Sequence, residues 1–468
     1  MKPFFCDVRN NITACGLSLD VSRQRITRQE FIRLWDSDEA KCLRRAHSSM
    51  VKGKIVNASE NRQALHTSLR SFSALLPQYE EVNRERTKVL DFATLVRNGD
   101  WCGCRGDRIT DVINIGIGGS DVGPRMVYHA LKGTNPKIRL HFLSTVDGCL
   151  LERILSVCNP LSTLVVISSK SFKTRETLVN ASAVDQWLAD SGITGSNRAK
   201  HIVIASANIL ATEKLNLPAE NLFTFWDWVG GRFSVWSAVG LPLAIALGSE
   251  EFLEFLYGAE EMDIHAIKAP LEFNLPATLA LIEYWNINKL NISSHCVLPY
   301  DERLRAMIPW IQQLEMESLG KRIPSTRRPT GQAIWGANGN EGQHSFYQWL
   351  REGTHCSSID LIWCEKASNH YTNHHRILLA NAKAQAEALT NRQNSSVYYN
   401  VLTTVRIDEL TPRRLGAFMA MYEHKTTMLG TLLGVNPFDQ PGVELGKKLS
   451  IRAEQGEDPR QVIRELVV

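Results

Sequence analysis

Apolar runs that stop at glycine, serine or lysine punctuate this chain from Asp111 onward. Asp111-Val112-Ile113-Asn114-Ile115 is short and β-rich and ends in glycines, and a helix-like segment from Pro124 to Leu131 follows. Ile138 to Ser144 comes next, then Leu164 to Ile167 running into Ser168-Ser169-Lys170-Ser171, then His201 to Ala205 ending at Ser206. Strand-length apolar runs alternating with helical patterns predict a parallel sheet covered by helices. The pattern then begins again. Helical periodicity spans Glu250 to Leu290, a strand at Cys296-Val297-Leu298 ends in Pro299-Tyr300-Asp301, and further strands are predicted at Ser358 to Trp363 and Val401 to Ile407. A long helix from Pro412 to Thr426 and a C-terminal helix from about Gly442 complete the pattern. Residues 1–79 read as a mostly helical, polar segment packing on the second of two α/β domains, 80–246 and 247–468.

Composition agrees with two domains, since 468 residues exceed what one ordinary core accommodates. A formal net charge of +4 is small for this size, and the basic cluster Lys321, Arg322, Arg327, Arg328 lacks interleaved aromatics. It reads as solvated surface, and no nucleic-acid partner is expected. Ten cysteines include one close pair, Cys102 and Cys104, with no matching pair at zinc spacing. A reduced cytoplasmic protein with mostly buried thiols is therefore expected. Met1 to Asp7 has no apolar core of signal-peptide length, and the most apolar stretch, Val235 to Gly248, is interrupted by Pro242 and too short for a bilayer. No membrane association is expected.

Two loops have phosphate-binding chemistry. Gly116-Ile117-Gly118-Gly119-Ser120 follows a strand and precedes a helix, where backbone amides and a helix N-terminus favour an anion. A dinucleotide site is the competing reading, but Asp121 stands where the third fingerprint glycine would fall, and no acidic residue lies about twenty positions on. Ser169-Lys170-Ser171-Phe172-Lys173-Thr174-Arg175-Glu176-Thr177 supplies four hydroxyls and two lysines at the next strand end. Ordinary helix capping by Ser171 or Thr174 would also explain that loop.

Groups able to move protons or hold charge lie elsewhere. Phe225-Trp226-Asp227-Trp228-Val229-Gly230-Gly231-Arg232 presents an arginine from a rigid turn, either for an oxyanion or for pairing with Asp227. Gln313 and Glu317 share a helix face, yet Glu317 also precedes Lys321 by four, the spacing of an exposed ion pair. His344 sits in the loop Gly339 to His344 and can titrate near neutrality. His374 and His375 are adjacent and point apart on a helix, so no metal site is expected there. Lys447 follows Gln440-Pro441-Gly442 near a helix start, where a cation opposes the dipole and a functional reason gains weight.

Together these segments resemble the glucose-6-phosphate isomerase family from about Glu60 to Lys448. Asp227 to Gly240 looks like one signature of that family and Phe438 to Lys447 like the other. Glu60 to His66, the Gly116 and Ser169 loops, Gln313 to Lys321 and Gly342 to Tyr347 follow in its order. The resemblance implies two three-layer α/β/α sugar-isomerase (SIS-type) domains, a homodimer with shared sites, and no metal or organic cofactor. It implies aldose–ketose isomerisation of a sugar-phosphate substrate, glucose 6-phosphate to fructose 6-phosphate. Gly119, Ser120, Ser169, Lys170, Ser171 and Thr174 would hold the phosphate, and Gln313 and Gln440 would line the sugar. Glu317 would carry the proton between C2 and C1, Arg232 would stabilise the cis-enediol(ate), and Lys447 and the partner's His344 would assist ring opening. Ser171 and Lys173 replace threonines usual in the family, Asn61 a glycine, and Pro441 an aromatic beside Gln440. A sugar-phosphate sensor on the same domains would need the loops but not Glu317, His344 and Lys447, and all three are present.

Overall fold

The computed structural model describes residues 11–323, 328–391 and 399–466. Two N-terminal strands, β1 (Ile12–Ala14) and β2 (Leu17–Arg23), are followed by a small ribbon, β3 (Ile55–Asn57) and β4 (Arg62–Gln63). The first large sheet is wholly parallel: β5 (Asp111–Ile115), β6 (Arg139–Leu143), β7 (Thr163–Ser168), β8 (Ile202–Ser206) and β9 (Leu222–Thr224), in spatial order β6-β5-β7-β8-β9. All six residues of β7 are buried, as a strand covered by helices on both faces requires. The second sheet has β10 (Ser294–Pro299), β11 (Ala333–Gly336), β12 (Ser358–Cys364) and β13 (Val401–Ile407) parallel, with β2 and β1 added antiparallel at the β13 edge.

The α/β class and mostly parallel sheets expected from the apolar runs are thus present. The N-terminal segment, expected to be mostly helical, has helices Arg28–Trp35 and Asp38–Val51 but also contributes β1 and β2. Leu17, Leu19 and Val21 alternate with partly exposed residues, a period of two that marks a half-buried strand. β9 and β11 were also unforeseen; they are three and four residues long and sit at sheet edges.

The helix Pro412–Leu433 runs through the interior, with eighteen of its residues buried. It crosses helix Ser249–Lys268 at glycines: a Cβ at Gly258 would lie 1.7 Å from the Arg413 carbonyl oxygen, and one at Gly416 1.9 Å from that of Phe255. This close crossing carries Glu423, His424 and Lys425 inside, where each has an ionic partner. The thiols only partly match expectation. Cys158, Cys296 and Cys364 are buried, Cys42 and Cys149 are exposed, and all nine described cysteines are free. Cys6 and the Met1 to Asp7 stretch lie outside the described residues, as does Arg327. Lys321 leaves the expected solvated cluster: its side chain, 13% exposed, forms an ion pair with Asp439 at 2.9 Å. Among the described residues no helix is long and apolar enough to cross a membrane.

Candidate active site

The strands β5 and β7 end beside one another, and their loops are tied together. Asn114 Nδ2 donates to the Ser120 carbonyl at 3.0 Å, and Asn114 Oδ1 accepts from Ser168 Oγ at 3.3 Å. Gly118 has φ +59°, and a Cβ at Gly119 would fall 1.9 Å from the Gly231 carbonyl oxygen. Glycine is what lets the Gly116–Ser120 loop touch the loop that presents Arg232. Asp121, which breaks the dinucleotide fingerprint, is buried and accepts from Arg125 at 2.7 Å.

In the second loop Ser169 Oγ accepts from the Phe172 N–H at 3.2 Å, and Ser171 Oγ from that of Lys173 at 3.3 Å. Phe172 takes φ +53°. Thr174 occupies the N-cap of helix Arg175–Asp190, yet its hydroxyl makes no capping bond. Capping therefore does not account for that threonine, whose hydroxyl stands at a helix N-terminus suited to an anion. Lys170 Nζ donates to the carbonyls of Asp227 and Val229 at 2.7 and 2.9 Å, fastening this loop to the tryptophan loop. Burial, reinforced by the Arg62 charge, lowers the Lys170 ammonium from its ordinary range.

Trp226 and Trp228 stack at 5.0 Å beside the double glycine, giving the turn a rigid wall. Arg232 leaves it 5% exposed and uses its whole guanidinium. Nε donates to Ser318 Oγ (2.9 Å), one terminal nitrogen to Glu317 Oε2 (2.8 Å) and Gln440 Oε1 (2.9 Å), the other to the Pro437 and Asp439 carbonyls (2.8 and 3.1 Å). The pairing with Asp227 does not form; Asp227 is exposed and lies 3.9 Å from Arg62. Burial lowers the Arg232 guanidinium and Glu317 opposes it. An arginine so bound is a fixed positive charge aimed at one carboxylate.

Glu317 does not pair with Lys321. It accepts from Arg232 and, at 3.3 Å, from Gln313 Nε2, while Lys321 turns to Asp439. The element is not a plain α-helix. A π-turn, Gln312–Met316, joins helix Met307–Ile311 to helix Glu317–Leu319. Such turns widen a helix locally and recur at functional sites. Gln313 reaches the first loop too, since a Cβ at Gly118 would come within 3.0 Å of its Nε2. Glu317 keeps 32% side-chain exposure, so it is bound by two donors and still open to a ligand. Gln440 holds its place beside Arg232 despite Pro441.

Lys447 and His344 are not drawn into this group. Lys447 is 62% exposed and pairs with Glu444 at 2.8 Å on helix Glu444–Glu454, none of whose residues is buried. His344 is exposed at the end of helix Gly339–Gln343. Sequence reasoning missed the support of Asp439: Ser59, Asn436 and Lys321 all contact its carboxylate, at the segment whose backbone anchors Arg232. Burial would raise Asp439, but the Ser59 and Lys321 contacts outweigh it and hold it below the usual carboxylate range.

Among the described residues one His/Cys/Asp group is close enough to share an ion: Asp111, His141 and Cys158, at the far end of β5 from the loops. Arg139 donates to Asp111 at 2.8 Å, occupying a cation's place, and burial and then Asp111 push the Cys158 thiol up to about 12. That group suits an ion pair better than a metal.

The model of one family, phosphoglucose isomerase, matches residues 20–464. The chain belongs to that family. It is 43% identical over 458 residues to the glucose-6-phosphate isomerase of Burkholderia multivorans, covering 93% of this chain and 85% of that one. With glucose-6-phosphate isomerase 1 of Chromohalobacter salexigens it shares 39% over 455 residues, 93% of this chain and 83% of the other. Among solved structures, a glucose-6-phosphate isomerase from Chlamydia trachomatis superposes with a TM-score of 0.84 at 28% identity, covering 98% of this chain and 93% of that one. In this chain the two polar loops lie at the ends of parallel strands, where ligands of such folds bind.

Proposed function

We propose that this chain interconverts glucose 6-phosphate and fructose 6-phosphate by ring opening and proton transfer through a cis-enediol(ate). The carrying observation is the Glu317–Arg232 contact at 2.8 Å, beside two phosphate-type loops in a chain of this family. The phosphate lies among Gly119, Ser120, Ser169, Lys170, Ser171 and Thr174, away from the reacting carbons, and its binding energy holds them in line with the base. Glu317 takes the C2 proton, and the electrons of that C–H bond form the C1–C2 double bond as charge moves onto O1. Arg232 offsets that charge, the hydroxyl proton on O2 passes to O1, and Glu317 returns its proton to C1 as the carbonyl forms at C2. Gln313 and Gln440 line the sugar.

Lys447 assists ring opening after its helix swings inward, a movement that a helix with no buried residue permits at small cost. The partner's His344 completes the site in a homodimer; exposure of the His344 side chain in the single chain supports that reading. The free thiols and the substrates suit a cytoplasmic place in glycolysis and gluconeogenesis. A coupled assay with fructose 6-phosphate on the purified protein tests the reaction, and turnover is expected. Phosphate-ligand binding without turnover would instead mark a sensor. Mixing inactive His344→Ala with inactive Glu317→Gln subunits restores some activity if sites are shared; none, despite shown subunit exchange, rules sharing out.

A further inference from the structure

Two acids two positions apart, Glu315 on the π-turn and Glu317 just after it, face opposite ways. Glu317 opens to the crevice, while Glu315, 1% exposed, points into the protein and accepts from Lys425 Nζ at 2.7 Å. Lys425 belongs to the central helix Pro412–Leu433 and is also paired with Glu283 of helix Leu275–Asn288. A charge pair this deep gives little net stability, because desolvating both groups offsets most of their attraction; its contribution is to fix geometry. Gln312 holds the same turn from another side, its Nε2 donating to the Ile334 carbonyl of β11 at 2.9 Å. One residue, Met316, separates the buried anchor from the carboxylate in the crevice.

We infer that Glu315, clamped by Lys425, is a positioning residue that sets the rotation of the π-turn and thereby aims the Glu317 carboxylate at the substrate. Gln313 at the start of the turn and Ser318 after it are both bonded within the site, so a slip of one position would move Glu317, its donor Gln313 and the Arg232 contact together. Glu283 meets the same ammonium but sits on a different helix, so its loss disturbs the ionic cluster without touching the turn. Glutamine matches glutamate in size and its carbonyl oxygen can still accept from Lys425, so Glu315→Gln is expected to fold.

The inference rests on Glu317 being the base. Its test is turnover of substrate deuterated at C2, with Glu315→Gln and Glu283→Gln compared against the unaltered enzyme. Two quantities are read: kcat against KM, and the fraction of deuterium that arrives at C1 rather than in water. A misaimed carboxylate slows the transfer to C1 but not its exchange with solvent. Glu315→Gln should thus lower kcat about tenfold to a hundredfold with KM nearly unchanged, and reduce the retained label by roughly half or more. Glu283→Gln should leave the retained fraction alone. Because that fraction is set within each turnover, it is blind to how much protein has folded; if Glu315→Gln gives no soluble enzyme, Glu315→Asp, which withdraws the carboxyl by one carbon, serves instead. An unchanged fraction in the Glu315 variant, or an equal change in both variants, overturns the inference. Near-normal turnover by Glu317→Gln would overturn the underlying assignment, a different result.

Discussion

Arg232 and Lys447 are both cations from the two signature segments, and the fold treats them in opposite ways. Arg232 is 5% exposed and makes five hydrogen bonds, two of them to backbone carbonyls of the segment that precedes Lys447. Lys447 is 62% exposed and has one partner, three residues away on its own helix. The difference lies in who supplies the acceptors. Arg232 is positioned by carbonyls that the fold fixes regardless of ligand, so its charge is preorganised and costs no rearrangement during reaction. Lys447 has only a solvated carboxylate, and a surface pair of that kind constrains little. The structure thus separates a rigidly held group, Arg232 with Glu317 and the loops, from Lys447 and His344, which stand exposed outside it.

The largest effect that tests this division falls on the rigid group. Glu317→Gln should lower turnover by about two to four orders of magnitude with affinity for a phosphate ligand nearly intact, measured by steady-state kinetics and ligand titration. Arg232→Lys comes next. A lysine keeps the charge but cannot reach five acceptors at once, so turnover should fall roughly a hundredfold although the charge is conserved. If Arg232→Lys is nearly as active as the unaltered enzyme, charge alone matters and the anchoring described above is incidental.

Lys170 is a milder case of the anchored kind. Its folded-state pKa is depressed, so folding disfavours its charged form, and it loses its proton at a lower pH than an exposed lysine with the ordinary value of 10.5. Its attraction for a phosphate is therefore present near neutrality and fades as pH rises toward 10.5. KM for the sugar phosphate should rise on the alkaline side, and Lys170→Met should raise it about tenfold at neutral pH, the scale of one charged hydrogen bond, and flatten that limb. An identical alkaline limb in the variant would show that another group causes it.

Much of the rigid group was legible in the chain. The four runs at Asp111, Ile138, Leu164 and His201 each became a strand of the first large sheet, because buried parallel strands need unbroken apolar stretches. The Gly116 and Ser169 loops lie where strand-end logic put them. Spacing could not decide between Lys321 and Arg232 as the partner of Glu317. The i,i+4 rule knows only the helix, whereas the choice depends on Asp439, 122 positions away, claiming Lys321. Nor could periodicity reveal the π-turn, or decide which of Glu315 and Glu317, two positions apart and so on opposite sides of the helix, faces inward. Glu315 carried no motif signal; only the burial of Lys425 on a distant helix gives it a role to read.

The smallest effect probes the exposed Lys447 directly. If the Glu444 contact merely accompanies an outward helix, releasing it should matter little, because an exposed pair three apart is worth a fraction of the energy that substrate binding supplies. Glu444→Gln should change turnover by no more than about threefold, and in the upward direction, since Lys447 is then freer to turn toward the sugar. Arg175, which holds the far end of the same helix through Glu454 at 3.1 Å, remains in place as a pivot. A large loss of activity on Glu444→Gln would reverse the comparison. It would mean that the outward pairing is itself part of the working site, and that Lys447 is as deliberately held as Arg232.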